Sequence, residues 1–111
     1  MAEIKITHKA SDDLDEIKES ISEGLLNPAA AENTILKIMR AIRRLEDFPE
    51  IGAPLSSIAE IPNNYRFLVC GNYLVFYRFQ DDIVRVVRVI YGKRDYMKTL
   101  FGDAAEEKDS T

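Results

Sequence analysis

Six basic side chains, Arg66, Arg78, Arg85, Arg88, Lys93 and Arg94, fall in one stretch of the chain, interleaved with Val, Phe and Tyr. Guanidinium groups match carboxylate and phosphate in a bidentate geometry, so such a cluster suits an anionic ligand or a charged partner. With Tyr91 and Tyr96 close in sequence, it could also stabilise the charge that develops on a scissile RNA phosphate, the 2′-hydroxyl acting as nucleophile. Other chemistries lack their residues. His8 is the one histidine and stands where a helix begins, a surface position. No Ser/His/Asp set and no phosphate-cradling glycine loop is present. Asp12, Asp13, Asp15 and Glu16 read as a solvated helix start rather than a metal site, and no Cys/His spacing suggests zinc. Cys70 has no internal disulfide partner and flanks a turn. No metal and no cofactor is expected.

These side chains need a sheet to carry them. Residues 65–92 read as three strands joined by tight turns at Cys70-Gly71-Asn72 and Gln80-Asp81-Asp82. Gly and Asn tolerate positive φ, and Asp bonds its own backbone. The intervening Val, Ile, Phe and Tyr suit a pleated surface. Alternation puts Tyr73, Val75, Tyr77 and Phe79 on one face of the middle strand, opposite Leu74, Phe76 and Arg78. On the first strand Arg66, Leu68 and Cys70 oppose Tyr65, Phe67 and Val69. On the third, Arg85, Val87, Val89 and Tyr91 oppose Val84, Val86, Arg88 and Ile90. The all-apolar face of the middle strand is expected under helices, with Arg66 and Arg78 on an open face beside Leu74 and Phe76. An apolar centre with an arginine rim suits a protein partner at least as well as RNA.

The first half supplies the helices. Glu3–Thr7 alternates as a short strand. His8 to about Gly24 reads as a helix, with Ser11 as cap or first-turn residue, Asp12 and Asp13 near the positive end of the dipole, and a stripe of Ala10, Leu14, Ile17 and Ile21. Asn27-Pro28 opens a second helix running to about Asp47, with a stripe of Ala31, Ile35, Ile38, Ile42 and Leu45. Its cations Lys37, Arg40, Arg43 and Arg44 read as a solvated face favoured by the dipole. Residues 48–63 are expected as a loop, with a short helical turn at Leu55–Ala59. Lys93–Phe101 is expected as a short C-terminal helix. The fold expected is α+β, in the order β-α-α-β-β-β, with an antiparallel three-strand meander and both helices on one face. One domain spans 1–101, followed by an acidic, disordered tail over 102–111.

Composition limits the partners. The net charge of −4 conceals an asymmetry. Residues 1–60 carry 7 Lys/Arg against 12 Asp/Glu, giving −5; residues 61–101 carry 7 against 3, giving +4; the tail is −3. A locally basic sheet in an acidic protein argues for one focused site rather than general nucleic-acid binding. No apolar run approaches a membrane span and the N-terminus lacks a signal-peptide layout, so a cytoplasmic protein is expected.

In order and spacing, several short motifs resemble the RelE/ParE superfamily of toxin–antitoxin toxins. They are Ala10-Ser11-Asp12-Asp13-Leu14-Asp15-Glu16-Ile17, Asn27-Pro28-Ala29-Ala30, Leu45 to Gly52, Gly71 to Arg78, and Arg88 to Tyr96. The resemblance runs from about Ile4 to Phe101. It implies a toxin neutralised by a cognate antitoxin, acting either on DNA gyrase (ParE-like) or as a ribosome-dependent mRNA endoribonuclease (RelE-like). For a ribonuclease it implies Arg66, Arg94, Tyr91 and Tyr96 as catalytic residues. Leu68 and Leu74 stand where further basic residues are expected, Gly92 where some relatives carry histidine, and Leu100 at the C-terminal tyrosine position. Together with the Phe48-Pro49-Glu50-Ile51-Gly52 loop, these place the chain nearer the ParE-like branch. The residues expected to meet target or antitoxin are Arg66, Leu74, Phe76, Arg78, Arg88, Lys93 and Arg94. Self-association through the apolar patch, and a family member without toxicity kept for binding or regulation, complete the expectations.

Overall fold

The computed structural model describes residues 1–24, 26–55 and 64–92. Strand β1 (Glu3–Ile6) leads into helix α1 (His8–Gly24) and helix α2 (Pro28–Arg43), which ends in a 3₁₀ turn over Arg44–Glu46. Strands β2 (Ala53–Pro54), β3 (Tyr65–Cys70), β4 (Tyr73–Gln80) and β5 (Ile83–Tyr91) follow. The sheet order is β1-β5-β4-β3-β2, with β1 parallel to β5 and the other pairs antiparallel. The α+β architecture and the meander are as expected. Strand β2 is an addition: Ala53 and Pro54 lie in the expected loop but pair with Phe67 and Arg66. Proline fits there because β2 is an edge. The expected helix over Lys93–Phe101, the tail 102–111 and most of the turn over Leu55–Ala59 lie outside the described residues.

Local chemistry explains the element ends. Thr7, not Ser11, caps α1: its Oγ1 accepts the Ala10 N–H at 3.2 Å, and Ser11 falls in the first turn. Asp12 and Asp13 therefore sit beyond that first turn. Asn27 Oδ1 accepts the Ala30 N–H at 3.1 Å, ahead of Pro28 at the first helical position. The turn between β4 and β5 places Asp81 and Asp82 at φ of 54° and 61°, the left-handed pair that a two-residue hairpin requires.

The main core lies between the helices and one sheet face. Ala10 and Ile17 of α1 and Ile38 and Ile42 of α2 meet Val75, Tyr77, Val84, Val86 and Val89. A second, smaller core forms on the opposite face, where Leu55 packs with the buried Phe76 and Ile90, flanked by Tyr65, Phe67, Leu74 and Val87. That face is therefore not an open apolar surface at its centre.

A bulge on β5 changes the alternation. Phe76 pairs with Arg88 but Tyr77 pairs with Val86, so Val87 is an extra residue. Val84, Val86 and Val89 consequently share the helix-side core, while Val87 and Ile90 join the outer one. The sequence expectation kept Val86 with Ile90 and Val87 with Val89. One inserted residue reverses the pattern beyond it.

Candidate functional site

On the outer face, the register aligns side chains across four strands. Lys5 of β1 pairs with Arg85 of β5, Arg85 with Arg78 of β4, and Arg78 with Tyr65 of β3. Residues paired in register project to the same side, roughly 5 Å apart. The result is a transverse row of three cations ending on a tyrosine ring, with the Arg78 guanidinium carbon 5.8 Å from the Tyr65 ring centroid. Like charges directly opposite each other are destabilising. Among the described residues neither Arg78 nor Arg85 forms an ion pair, and the ion pairs present are His8–Asp12 and Arg88–Asp13. Arg78 and Arg85 can therefore meet a carboxylate or phosphate without displacing a carboxylate partner among the described residues. Arg85 was counted in the basic cluster but not among the expected contact residues, and Lys5 was not singled out, because its place in the row depends on pairing β1 to β5 across about eighty residues of sequence.

Arg88 is placed differently. Its Nε donates to Asp13 Oδ2 at 2.7 Å and its Nη2 to Asp13 Oδ1 at 3.0 Å, while the Val89 N–H donates to Asp13 Oδ2 at 3.0 Å. This bidentate pair fastens α1 to the bulge. The Asp13 hydrogen bond, above all, raises the Arg88 pKa, against an opposing contribution from burial. Asp13 is buried at 8% exposure, which corrects the reading of all four acidic residues as a solvated helix start. Arg88 is thereby occupied by its own chain.

Arg66 is likewise occupied. It pairs in register with Tyr77, so it shares the helix side of the sheet rather than the outer face of Arg78. Its Nη1 donates to the Gly52 carbonyl at 2.8 Å and the Glu50 carbonyl at 3.2 Å. Tyr77 Oη accepts the Gly52 N–H at 2.9 Å. A Cβ on Gly52 would stand 2.6 Å from Tyr77 Oη and 2.8 Å from the Phe67 carbonyl, so only glycine brings the loop this close. Burial, as the largest cause, raises the Tyr77 pKa.

The remaining expected residues are dispersed. Phe76 is fully buried and supports the outer face from beneath; Leu74 is half-buried beside it. Tyr91 stacks edge-on with Tyr73, ring centroids 5.6 Å apart, beside a cleft of about 240 Å³ that Asp13 and Arg88 also line. Burial and then the Tyr91 neighbour raise the Tyr73 pKa. Tyr91 pairs with Tyr73 and Arg66 with Tyr77. Four residues of strand, about 13 Å at ~3.3 Å per residue, separate those positions. Arg66 and Tyr91 therefore stand at separate places on the sheet, each engaged with neighbours of its own. Lys93, Arg94 and Tyr96 lie outside the described residues. Among the described residues no group of three or more His, Cys, Asp or Glu could hold a metal ion, and no helix is long and apolar enough to cross a membrane.

Comparison with known proteins agrees with this architecture. Among solved structures the chain is similar to one from the "Chromosomal ParDE TA system from P. aeruginosa", with a TM-score of 0.69 and 24% identity. The match covers 82% of this chain and 96% of that one, and at this identity the likeness is one of fold. No curated protein matches significantly. The family profile described as "ParE toxin of type II toxin-antitoxin system, parDE" matches residues 4–96, nearly the whole of the described sheet and both helices, and the chain belongs to that family.

Proposed function

We propose that this chain is the toxin of a toxin–antitoxin pair, acts in the cytoplasm by binding DNA gyrase, and is neutralised by a cognate antitoxin whose carboxylates engage the Lys5–Arg85–Arg78 row. The observation that carries the reading is the row itself: three cations in cross-strand register with no carboxylate against Arg78 or Arg85 among the described residues. Action by binding rather than catalysis is supported by Arg66, whose guanidinium is held by loop carbonyls, and by its separation from Tyr91.

A supercoiling assay with purified gyrase tests the target. Inhibition at micromolar toxin is expected, and its absence overturns the gyrase reading. Calorimetric titration with the cognate antitoxin tests the row. Arg78→Glu with Arg85→Glu is expected to weaken binding at least tenfold and to flatten its salt dependence. A ribonuclease would instead leave codon-phased cuts, visible by primer extension on mRNA from expressing cells.

A further inference from the structure

The loop after α2 is held more firmly than a connection requires. Phe48 N–H donates to the Arg44 carbonyl at 3.0 Å and Ile51 N–H to the Phe48 carbonyl at 3.2 Å, closing two consecutive turns. Arg66, the Tyr77 hydroxyl and the close approach at Gly52 then clamp the loop's far end. Despite this, its two large apolar side chains face solvent: Phe48 is 61% exposed and Ile51 53%. A rigid loop that displays Phe and Ile loses little entropy when it is covered.

The helix leading to it is basic. Lys37, Arg40, Arg44 and Phe48 follow one another at intervals of three, four and four, so they share a face, and all four are exposed. The Phe48–Arg44 hydrogen bond carries the helical repeat through to the apolar end. Asp47, exposed and three residues after Arg44, shares the end of this face, and Glu50 flanks the loop; among the described residues none of the stripe's cations forms an ion pair. Helix α2 packs on the sheet face opposite the Lys5–Arg85–Arg78 row.

We infer that the Lys37–Arg40–Arg44 stripe and the Phe48–Ile51 knuckle form a second docking surface, which seats the toxin on an acidic, apolar-centred patch of its protein target. The antitoxin row on the other face is a separate surface. The identity of that target as gyrase rests on the function proposed above; the surface itself does not.

The test combines growth arrest on induction, inhibition of purified gyrase, and antitoxin binding, for the full chain and two variants. One is Phe48→Ala with Ile51→Ala; the other is Lys37→Glu, Arg40→Glu, Arg44→Glu. All the substituted side chains are exposed, and circular dichroism with antitoxin binding verifies folding. The expected result is at least a tenfold loss of growth arrest and gyrase inhibition in both variants, with antitoxin affinity within twofold. Arrest lost in both variants while the wild type leaves gyrase untouched supports the surface and overturns gyrase as target. Arrest at wild-type strength in either variant overturns the surface, as does a wild-type chain that arrests nothing. If the charge variant alone loses arrest together with binding to a fluorescent RNA oligonucleotide, the stripe serves nucleic acid and the inference falls. It falls equally if the wild type dimerises, Phe48→Ala makes it monomeric, and toxicity is unchanged.

Discussion

On β5, Arg85 and Arg88 stand three residues apart and have opposite fates. Arg88 lies at the bulge, paired with Phe76, and its side chain reaches α1, where Asp13 meets it with both carboxylate oxygens. Arg85 turns to the outer face, where the residue across from it is another arginine. The side chains are chemically identical and both occupy a strand rich in valine. What separates them is what the register and the helix bring opposite. A guanidinium met by a buried carboxylate becomes part of the frame, and one met by a like charge remains for an external anion. Arg66 belongs with Arg88: backbone carbonyls of the Glu50–Gly52 loop consume it. Basic density along a sequence thus counts arginines that the fold already engages, and among the described residues cross-strand pairing and helix contacts tell them apart from the others.

The sharpest way to break this comparison is to remove the carboxylate. Asp13→Ala leaves the part-buried Arg88 without a counter-charge and the Val89 N–H without its acceptor. A loss of about 3 kcal/mol or more is expected in denaturant unfolding. Asp13→Leu combined with Arg88→Leu should recover much of it, because an apolar pair removes both buried charges together. A single-variant loss below about 1 kcal/mol would mean that the pair is solvated and that Arg88 belongs with the available cations.

Gly52→Ala asks whether the Arg66 clamp is equally structural. Its Cβ would collide with Tyr77 Oη and the Phe67 carbonyl. The expected cost is about 1–3 kcal/mol, read as a lower midpoint of unfolding.

A pH titration sharpens the same point without substitution. Tyr77 and Tyr73 both have folded pKa values raised above the ordinary 10.0. The folded state therefore holds these protons more tightly than the unfolded chain. Their contribution to stability is complete below about pH 10 and is lost as pH rises through the higher folded values. Unfolding free energy should decline above pH 10, and less steeply in Tyr77→Phe.

The smallest effect is expected on the other side of the comparison. Arg78→Gln relieves the like-charge opposition to Arg85 but also removes the contact with the Tyr65 ring, so the two offset and stability should change by no more than a few tenths of a kcal/mol while antitoxin affinity falls. A clear destabilisation would show that Arg78 is held by its own chain, as Arg88 is.

The architecture was legible in the chain because its signals are local. Helical stripes such as Ala31, Ile38, Ile42 and Leu45, the Asn27-Pro28 start, and the Gly71-Asn72 and Asp81-Asp82 turns each act over a few residues, through backbone preference and hydrophobic period. They specify two helices and a meander whatever lies far away. Which arginine faces what was not legible, because it depends on pairings between distant segments. Strand alternation sorts residues into two sets but cannot survive the insertion of Val87, after which the sets exchange faces. Nor can it place Arg66 beside Tyr77, bring Leu55 over Phe76, or bury Asp13 against a strand some seventy-five residues later. Those outcomes required the folded register, since a charge is neutralised by whatever is near it in space, and that neighbour leaves no mark in the adjacent sequence.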